Sequence, residues 1–135
     1  SITLSEGADL VLWAAENTFG KEIFVPKIPS YKIMDVAEAI SPKAKKQIIG
    51  VRPGEKIHEE LISFSESTFT LDMGKYFVIL PDLESFNLYC EHAGISRNNI
   101  TKEFSYNSHN NNDFLTVDKL RKLIKLNLDI NFKPI

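Results

Sequence analysis

The sequence predicts an α/β (α+β) fold, a small mixed sheet with helices packed against it. Three observations predict it. Ile23-Phe24-Val25 and residues 47–51 are short β-forming runs on either side of a helical repeat at residues 31–40, which reads as a βαβ-like unit with parallel strands and a right-handed crossover. Thr68-Phe69-Thr70-Leu71-Asp72 alternates and Tyr76-Phe77-Val78-Ile79-Leu80 is strongly β-forming, with Met73-Gly74-Lys75 between them as a hairpin turn. Apolar residues at helical spacing recur near both ends of the chain.

Taken in order, Thr3 or Ser5 can cap the first helix, and Glu6 stands three residues after Thr3, the spacing of a capping box. Ala8, Val11, Leu12 and Ala15, with Leu4 and Trp13 near the same side, form its apolar stripe. Trp13 is expected to pack in a core or interface. Pro26 and Pro29 bracket a stiff loop holding Lys27 and Ile28. Ser30 can cap the second helix, lined inside by Ile33, Val36, Ala37 and Ile40, and Ser41-Pro42 ends it. Lys43, Lys45 and Lys46 read as a solvated basic linker. Ile57, Leu61 and Ile62 predict a short helix, residues 63–67 a polar break and residues 103–106 a further strand. Residues 82–99 are mixed and predict little beyond short helical turns. Residues 107–113 are rich in Asn and read as a surface loop. Thr116 caps a last helix with Val117, Leu120, Leu123 and Ile124 inward and Lys119, Arg121, Lys122 and Lys125 outward. Residues 127–135 are expected to fray or to pack on a partner chain.

The bulk properties are those of an ordinary globular domain: 135 residues, 43% hydrophobic and 25% charged. That length is one domain with a core of its own. A net charge of −2 gives no general attraction to nucleic acid or to anionic membrane. One cysteine, Cys90, excludes an internal disulfide framework and a cysteine zinc site, and fits a reducing, cytoplasmic compartment. No apolar run reaches a membrane span, and the first residues lack the basic-then-apolar order of a signal peptide. With no initiator Met, the sequence reads as starting inside a protein.

The informative stretch is residues 48–61. An apolar run stops at Arg52-Pro53-Gly54-Glu55, where Pro sets φ for the first central turn position and Gly accepts positive φ at the second. Arg52 and Glu55 then sit at the two corners, with Cα atoms less than about 7 Å apart. The planar Arg fork can grip phosphate, and a carboxylate can accept from two neighbouring hydroxyls, as on a ribose. The pair suits one end of a nucleoside diphosphate. A solvated turn whose two charges pair weakly with each other fits the same residues.

Arg52-Pro53-Gly54-Glu55-Lys56, followed by His58-Glu59-Glu60, resembles the C-terminal signature of the UDP-N-acetylglucosamine 4,6-dehydratases of the extended short-chain dehydrogenase/reductase superfamily. The run Gly20-Lys21-Glu22-Ile23-Phe24-Val25-Pro26-Lys27-Ile28-Pro29-Ser30 lies upstream at the family's spacing. Phe104-Ser105-Tyr106-Asn107-Ser108-His109-Asn110, with Leu115-Thr116-Val117, resembles its tail. The likeness covers most of residues 1–125. It implies a C-terminal substrate domain, residues 1–135, without its Rossmann domain. It further implies that Arg52 contacts the diphosphate and Glu55 the ribose of a UDP-sugar. The Pro loop passes close to the nucleotide in that family, which makes Lys27 a candidate phosphate or base neighbour; a solvated lysine in a Pro-rich turn is the competing reading.

No G-x-G-x-x-G turn occurs, and no Tyr is followed four residues later by Lys: Tyr31, Tyr76, Tyr89 and Tyr106 lead to Asp35, Leu80, Ala93 and Asn110. The hydride and acid/base machinery of the superfamily is therefore outside this sequence, and NAD(P) is expected only in a parent enzyme. His58-Glu59-Glu60-Leu61-Ile62 has Ile where a zinc-protease helix has its second His, and His58, His92 and His109 lack metal-ligand spacing, so no metal is expected. No G-x-S-x-G elbow occurs. The sequence thus points to the UDP-sugar-binding domain of a 4,6-dehydratase of bacterial surface-polysaccharide or flagellin-sugar synthesis, in a family some of whose members also epimerise C5. A non-catalytic UDP-sugar-binding or protein-interaction module is the alternative, and a related epimerase or reductase a third reading. The expected partners are a UDP-sugar, the missing N-terminal Rossmann domain and further copies of the chain, with neither nucleic acid nor membrane.

Overall fold

The computed structural model describes residues 2–96 and 103–135. In chain order the elements are α1 (Leu4–Asn17), β1 (Ile23–Pro26), α2 (Ile33–Ile40), β2 (Glu60–Ile62), a 3-10 turn (Glu66–Phe69), β3 (Thr70–Asp72), β4 (Tyr76–Ile79), α3 (Leu83–His92), β5 (Tyr106–Asn107) and α4 (Val117–Asn127). The mixed α/β (α+β) class is as the sequence predicts. The strands form two antiparallel sheets, three strands in the order β1-β4-β3 and the pair β2-β5.

The centre is β4, whose four residues are all buried. Successive side chains of a strand point to opposite faces, and the core divides accordingly. Val78, with Leu71 and Leu80, packs on Phe86, Tyr89 and Cys90 of α3, and Trp13 and Phe24 join them. Phe77 and Ile79 pack the other way on Val25 and Ile62, with Phe104 and Tyr106 against them. A third cluster, Ala39, Leu115 and Leu120, fastens α2 to α4. The β3–β4 hairpin is where the alternation puts it. Met73 N–H donates to the Tyr76 carbonyl at 2.8 Å, and Gly74 takes φ +80° beneath an Asp72 side-chain bond to its N–H. Pro26, which cannot donate to a ladder, ends β1 on the sheet edge opposite Tyr76.

Several expectations are overturned. Residues 47–51 form no strand; Ile48 is 85% exposed, and both edges of β4 are already taken by β1 and β3. The parallel βαβ unit therefore does not exist, since β1 runs antiparallel to β4. Ile57, Leu61 and Ile62 make no helix: Glu60–Ile62 is a strand paired with Tyr106–Asn107, and only Ile62 is fully buried. Ser30 does not cap α2, which starts after Lys32 without a side-chain cap. Ser30 instead bridges to the segment around Phe114, accepting from Leu115 N–H at 2.8 Å and donating to the Asp113 carbonyl at 2.9 Å. Ile33 and Ile40 are exposed, and Val36 and Ala39 are the inward residues of α2. Arg121 turns inward, its guanidinium donating to the Glu38 and Ala39 carbonyls at the end of α2. α3, capped by Asp82 on Ser85 N–H, occupies part of the stretch that the sequence left mixed, of which residues 97–99 lie outside the described residues.

α1 has the Thr3–Glu6 capping box that its spacing predicts, but a different face of it is covered. Leu10, Trp13, Ala14 and Asn17 are half-buried, while Leu4, Val11 and Leu12 lie open to solvent. The expected packing of Trp13 holds: its ring stands edge-on to Phe24 at 5.3 Å and against Tyr76 at 4.5 Å. Two carboxylates organise the ends of this helix. Glu6 is held below its ordinary pKa by the Thr3 N–H and hydroxyl. Burial opposes ionisation of Glu22, yet the Thr18 hydroxyl and the N–H groups of Phe19 and Gly20 outweigh it and hold its pKa down.

Two predictions follow from this packing. Leu71→Ala, at a fully buried position, should cost about 2–5 kcal/mol in urea unfolding, and an unchanged midpoint would mean that the β3–β4–α3 cluster is not close-packed. Because Glu22 is held below the ordinary pKa of a glutamate, its contribution is present above that ordinary value and is lost as pH falls through the lowered, folded-state one. Glu22→Gln should therefore be less stable than the parent near neutrality and show a shallower loss on acidification, read from thermal midpoints across that range.

Candidate functional site

Proline stiffness and a glycine turn build the corner. Glu55 N–H donates to the Arg52 carbonyl at 3.0 Å, and Gly54 takes φ +85°, the sign a type II turn demands at its second central position. Glu55 Oε2 accepts the Arg52 N–H at 2.9 Å, so the carboxylate braces the turn that carries it. Its Oε1 lies 4.0 Å from Arg52 Nε, a loose pairing between side chains 71% and 50% exposed. Such a pair contributes little, about 0–1 kcal/mol, and leaves the guanidinium fork open to a stronger acceptor.

The structure brings Arg52 and Glu55 together and engages Lys27 elsewhere. Lys27 Nζ lies 2.6 Å from Asp72 Oδ1 and 4.5 Å over the Phe77 ring, clasping the hairpin. The loop after it runs between two cavities. One, of about 450 Å³, opens on the Lys27 and Phe77 side; the other, of about 370 Å³, lies between Pro29–Tyr31 and Lys56–Glu59. Lys56 and Glu59, just beyond the corner, put a cation and a carboxylate on the second cavity.

The wall between the cavities is held by residues that the sequence reading did not single out individually. Tyr106 Oη donates to the Ile28 carbonyl at 3.0 Å and accepts the Ile28 N–H at 2.8 Å. Asn111 Nδ2 donates to the same carbonyl at 2.8 Å and to Ser30 Oγ at 3.0 Å. The Asn-rich loop is itself wound tight: Asn107 Oδ1 accepts from the N–H groups of His109 and Asn110, and Asn110 Nδ2 donates to the Ser105 carbonyl. Ser108 ties this loop to the corner, its N–H donating to the Glu59 carbonyl at 2.9 Å and its hydroxyl accepting the Glu59 N–H at 3.1 Å. Asn and Ser at close spacing signal such local side-chain turns, but the long-range partners of Tyr106 and Asn111 have no sequence signal.

Comparison with known proteins bears on the family of the chain. The chain is 38% identical over 127 residues to a UDP-N-acetylglucosamine 4,6-dehydratase (inverting) of Campylobacter jejuni, covering 91% of this chain and 38% of that protein. It is 34% identical over 132 residues to a UDP-glucose 4-epimerase of Rickettsia bellii, covering 95% and 38%. The X-ray structure of Pen from Bacillus thuringiensis superposes with a TM-score of 0.73 at 26% identity, covering 94% of this chain and 36% of that one. The chain thus spans little more than a third of the length of these relatives. A sequence profile described as "Polysaccharide biosynthesis protein" matches residues 1–81, more than half of the chain. The 135 residues belong to the polysaccharide biosynthesis protein family.

Proposed function

We propose that this chain is the UDP-sugar-binding portion of an NAD(P)-dependent UDP-N-acetylglucosamine 4,6-dehydratase of bacterial surface-polysaccharide or flagellin-sugar synthesis, working in the cytoplasm. The observation that carries the reading is the Arg52–Glu55 corner: a turn braced through its backbone, with a guanidinium held only by a loose pair to Glu55, whose next residue, Lys56, lines a cleft of about 370 Å³. Arg52 would take the diphosphate through its fork, exchanging a loose surface pair for charge-assisted bonds. Glu55 would accept the ribose hydroxyls while still holding the Arg52 N–H. Lys27, committed to Asp72, would act by fixing the loop beside the nucleotide. Held this way, the remote end of the substrate positions the sugar for chemistry elsewhere. Relatives named as epimerases favour a second reading, in which the same grip serves a UDP-sugar 4-epimerase.

A dinucleotide does not fit the residues present. The positive-φ glycines Gly20, Gly50, Gly54, Gly74 and Gly94 lie in separate turns, and among the described residues none opens a helix, as a pyrophosphate turn requires. No step through that cofactor is assigned to this chain; it would belong to the length that the relatives have in addition. The open stripe of Leu4, Val11 and Leu12 on α1 supports such a neighbour, or a second copy, since apolar patches of this kind are normally covered. Among the described residues no helix is long and apolar enough to cross a membrane.

Calorimetric titration with UDP tests the reading. Arg52→Ala should weaken binding by about 1.5–3 kcal/mol, and Lys27→Ala by less. Equal affinities of parent and Arg52→Ala would remove Arg52 from the site.

A further inference from the structure

The corner and the Asn-rich loop meet through two imidazoles. His58 and His109 are far apart in sequence, yet their ring centroids lie 4.8 Å apart at an interplanar angle of 52°. Both are exposed. Their backbones are fixed on either side of one junction. Ser108 and Glu59 exchange backbone and hydroxyl bonds, and His109 N–H donates to Asn107 Oδ1 at 2.9 Å. His58 Nδ1 lies 3.3 Å from Ser108 Oγ. With the proton on Nδ1, His58 donates to that hydroxyl oxygen, which also accepts from Glu59, and Nε2 keeps its lone pair.

We infer that His58 and His109 form a two-histidine site for a borderline divalent transition-metal ion of the zinc or nickel class. The spacing fits. With metal–nitrogen bonds of about 2.0–2.1 Å, each ring centroid lies roughly 3.2 Å from the ion, so two rings on one ion are about 4.5–5.2 Å apart for N–metal–N angles of roughly 90–110°. Imidazole suits these ions, whereas magnesium and calcium want oxygen ligands. The bond from His58 Nδ1 to Ser108 is the outer contact that orients a metal-binding imidazole and selects its tautomer. No third His, Cys, Asp or Glu joins the pair among the described residues, so water completes the coordination and the site remains exchangeable. An ion there clamps residues 52–58 to residues 107–113 across the rim of the second cavity. The inference does not depend on the nucleotide reading, because neither Arg52 nor Glu55 takes part.

The test is a calorimetric titration of the chain with zinc and, separately, nickel chloride at neutral pH, alongside thermal unfolding with and without the ion. One ion per chain and a raised midpoint are expected. His58→Ala and His109→Ala should each abolish both effects, His92→Ala should change neither, and Ser108→Ala should weaken binding roughly 10-fold or more. His92 lies in the last turn of α3 against Phe19 and is the internal control. Absence of stoichiometric binding, binding unchanged in either of the first two variants, or binding lost in His92→Ala would overturn the assignment. Circular dichroism of each metal-free variant confirms that it is folded.

Discussion

One hydroxyl group joins the parts of this structure. Tyr106 Oη satisfies both backbone groups of Ile28, a residue 78 positions away, from a half-buried site where water is a poor substitute. Its ring packs on Phe77 at 5.4 Å, so the same side chain touches the β1-β4-β3 sheet, the Pro loop and the β2-β5 ladder that contains it. A Pro-rich loop has few N–H groups of its own to anchor it. An external partner must supply the anchor, and Tyr106 and Asn111 do so at adjacent points. The backbone bonds of Lys27 to Lys75 and of Ser30 to Asp113 and Leu115 hold the ends of the loop, and Tyr106 and Asn111 fix its middle at Ile28, where it forms the wall between the two cavities.

The corner is rigid for a different reason. Its bonds are local: a turn bond, a carboxylate on the N–H three residues before it, and a glycine at the one φ that an L side chain resists. Local bonds carry a low entropic cost because the loop they close is short. The corner can therefore keep its shape while most of its surface stays exposed, which a binding turn requires. Its placement relative to the rest of the chain comes through His58 and Glu59, which meet Ser108 and His109, and through the ladder beyond them.

What the sequence made legible divides along the same line. The capping box of α1, the Thr116 cap of α4, the hairpin and the Pro-Gly turn all appeared as expected, because each depends on residues within four positions of one another. The failures were questions of partnership. Residues 47–51 have the composition of a strand, but they pair with neither edge strand of the three-stranded sheet, β1 or β3, and Ile48, Ile49 and Val51 stay exposed. Ile57, Leu61 and Ile62 match a helical period on three residues, too few to exclude the strand that Tyr106 and Asn107 recruit. The stripe read on α1 was a true stripe on the uncovered face; Trp13 marked the covered one. Arg121 was counted with its lysine neighbours, although its fork could cap the carbonyls of α2, which no local rule reveals.

That uncovered stripe bears on what the chain is for. A hydrophobic content of 43% is ordinary, yet it is spent here in three small clusters, and large apolar side chains from Leu4 to Val51 and on to Leu128 remain in solvent. Exposed apolar residues scattered singly need no explanation. On α1, however, Leu4, Val11 and Leu12 fall on one face of a helix that is capped and packed on its other side, so its orientation is already set before anything covers them. A helix fixed in this way presents a preformed surface, and a preformed surface loses little entropy on docking. The corner shows the same arrangement in polar form, a braced backbone offering an exposed guanidinium and carboxylate that pair only loosely with each other. Both features suit the proposal that these residues hold one end of a substrate for chemistry supplied by the remainder of a longer enzyme.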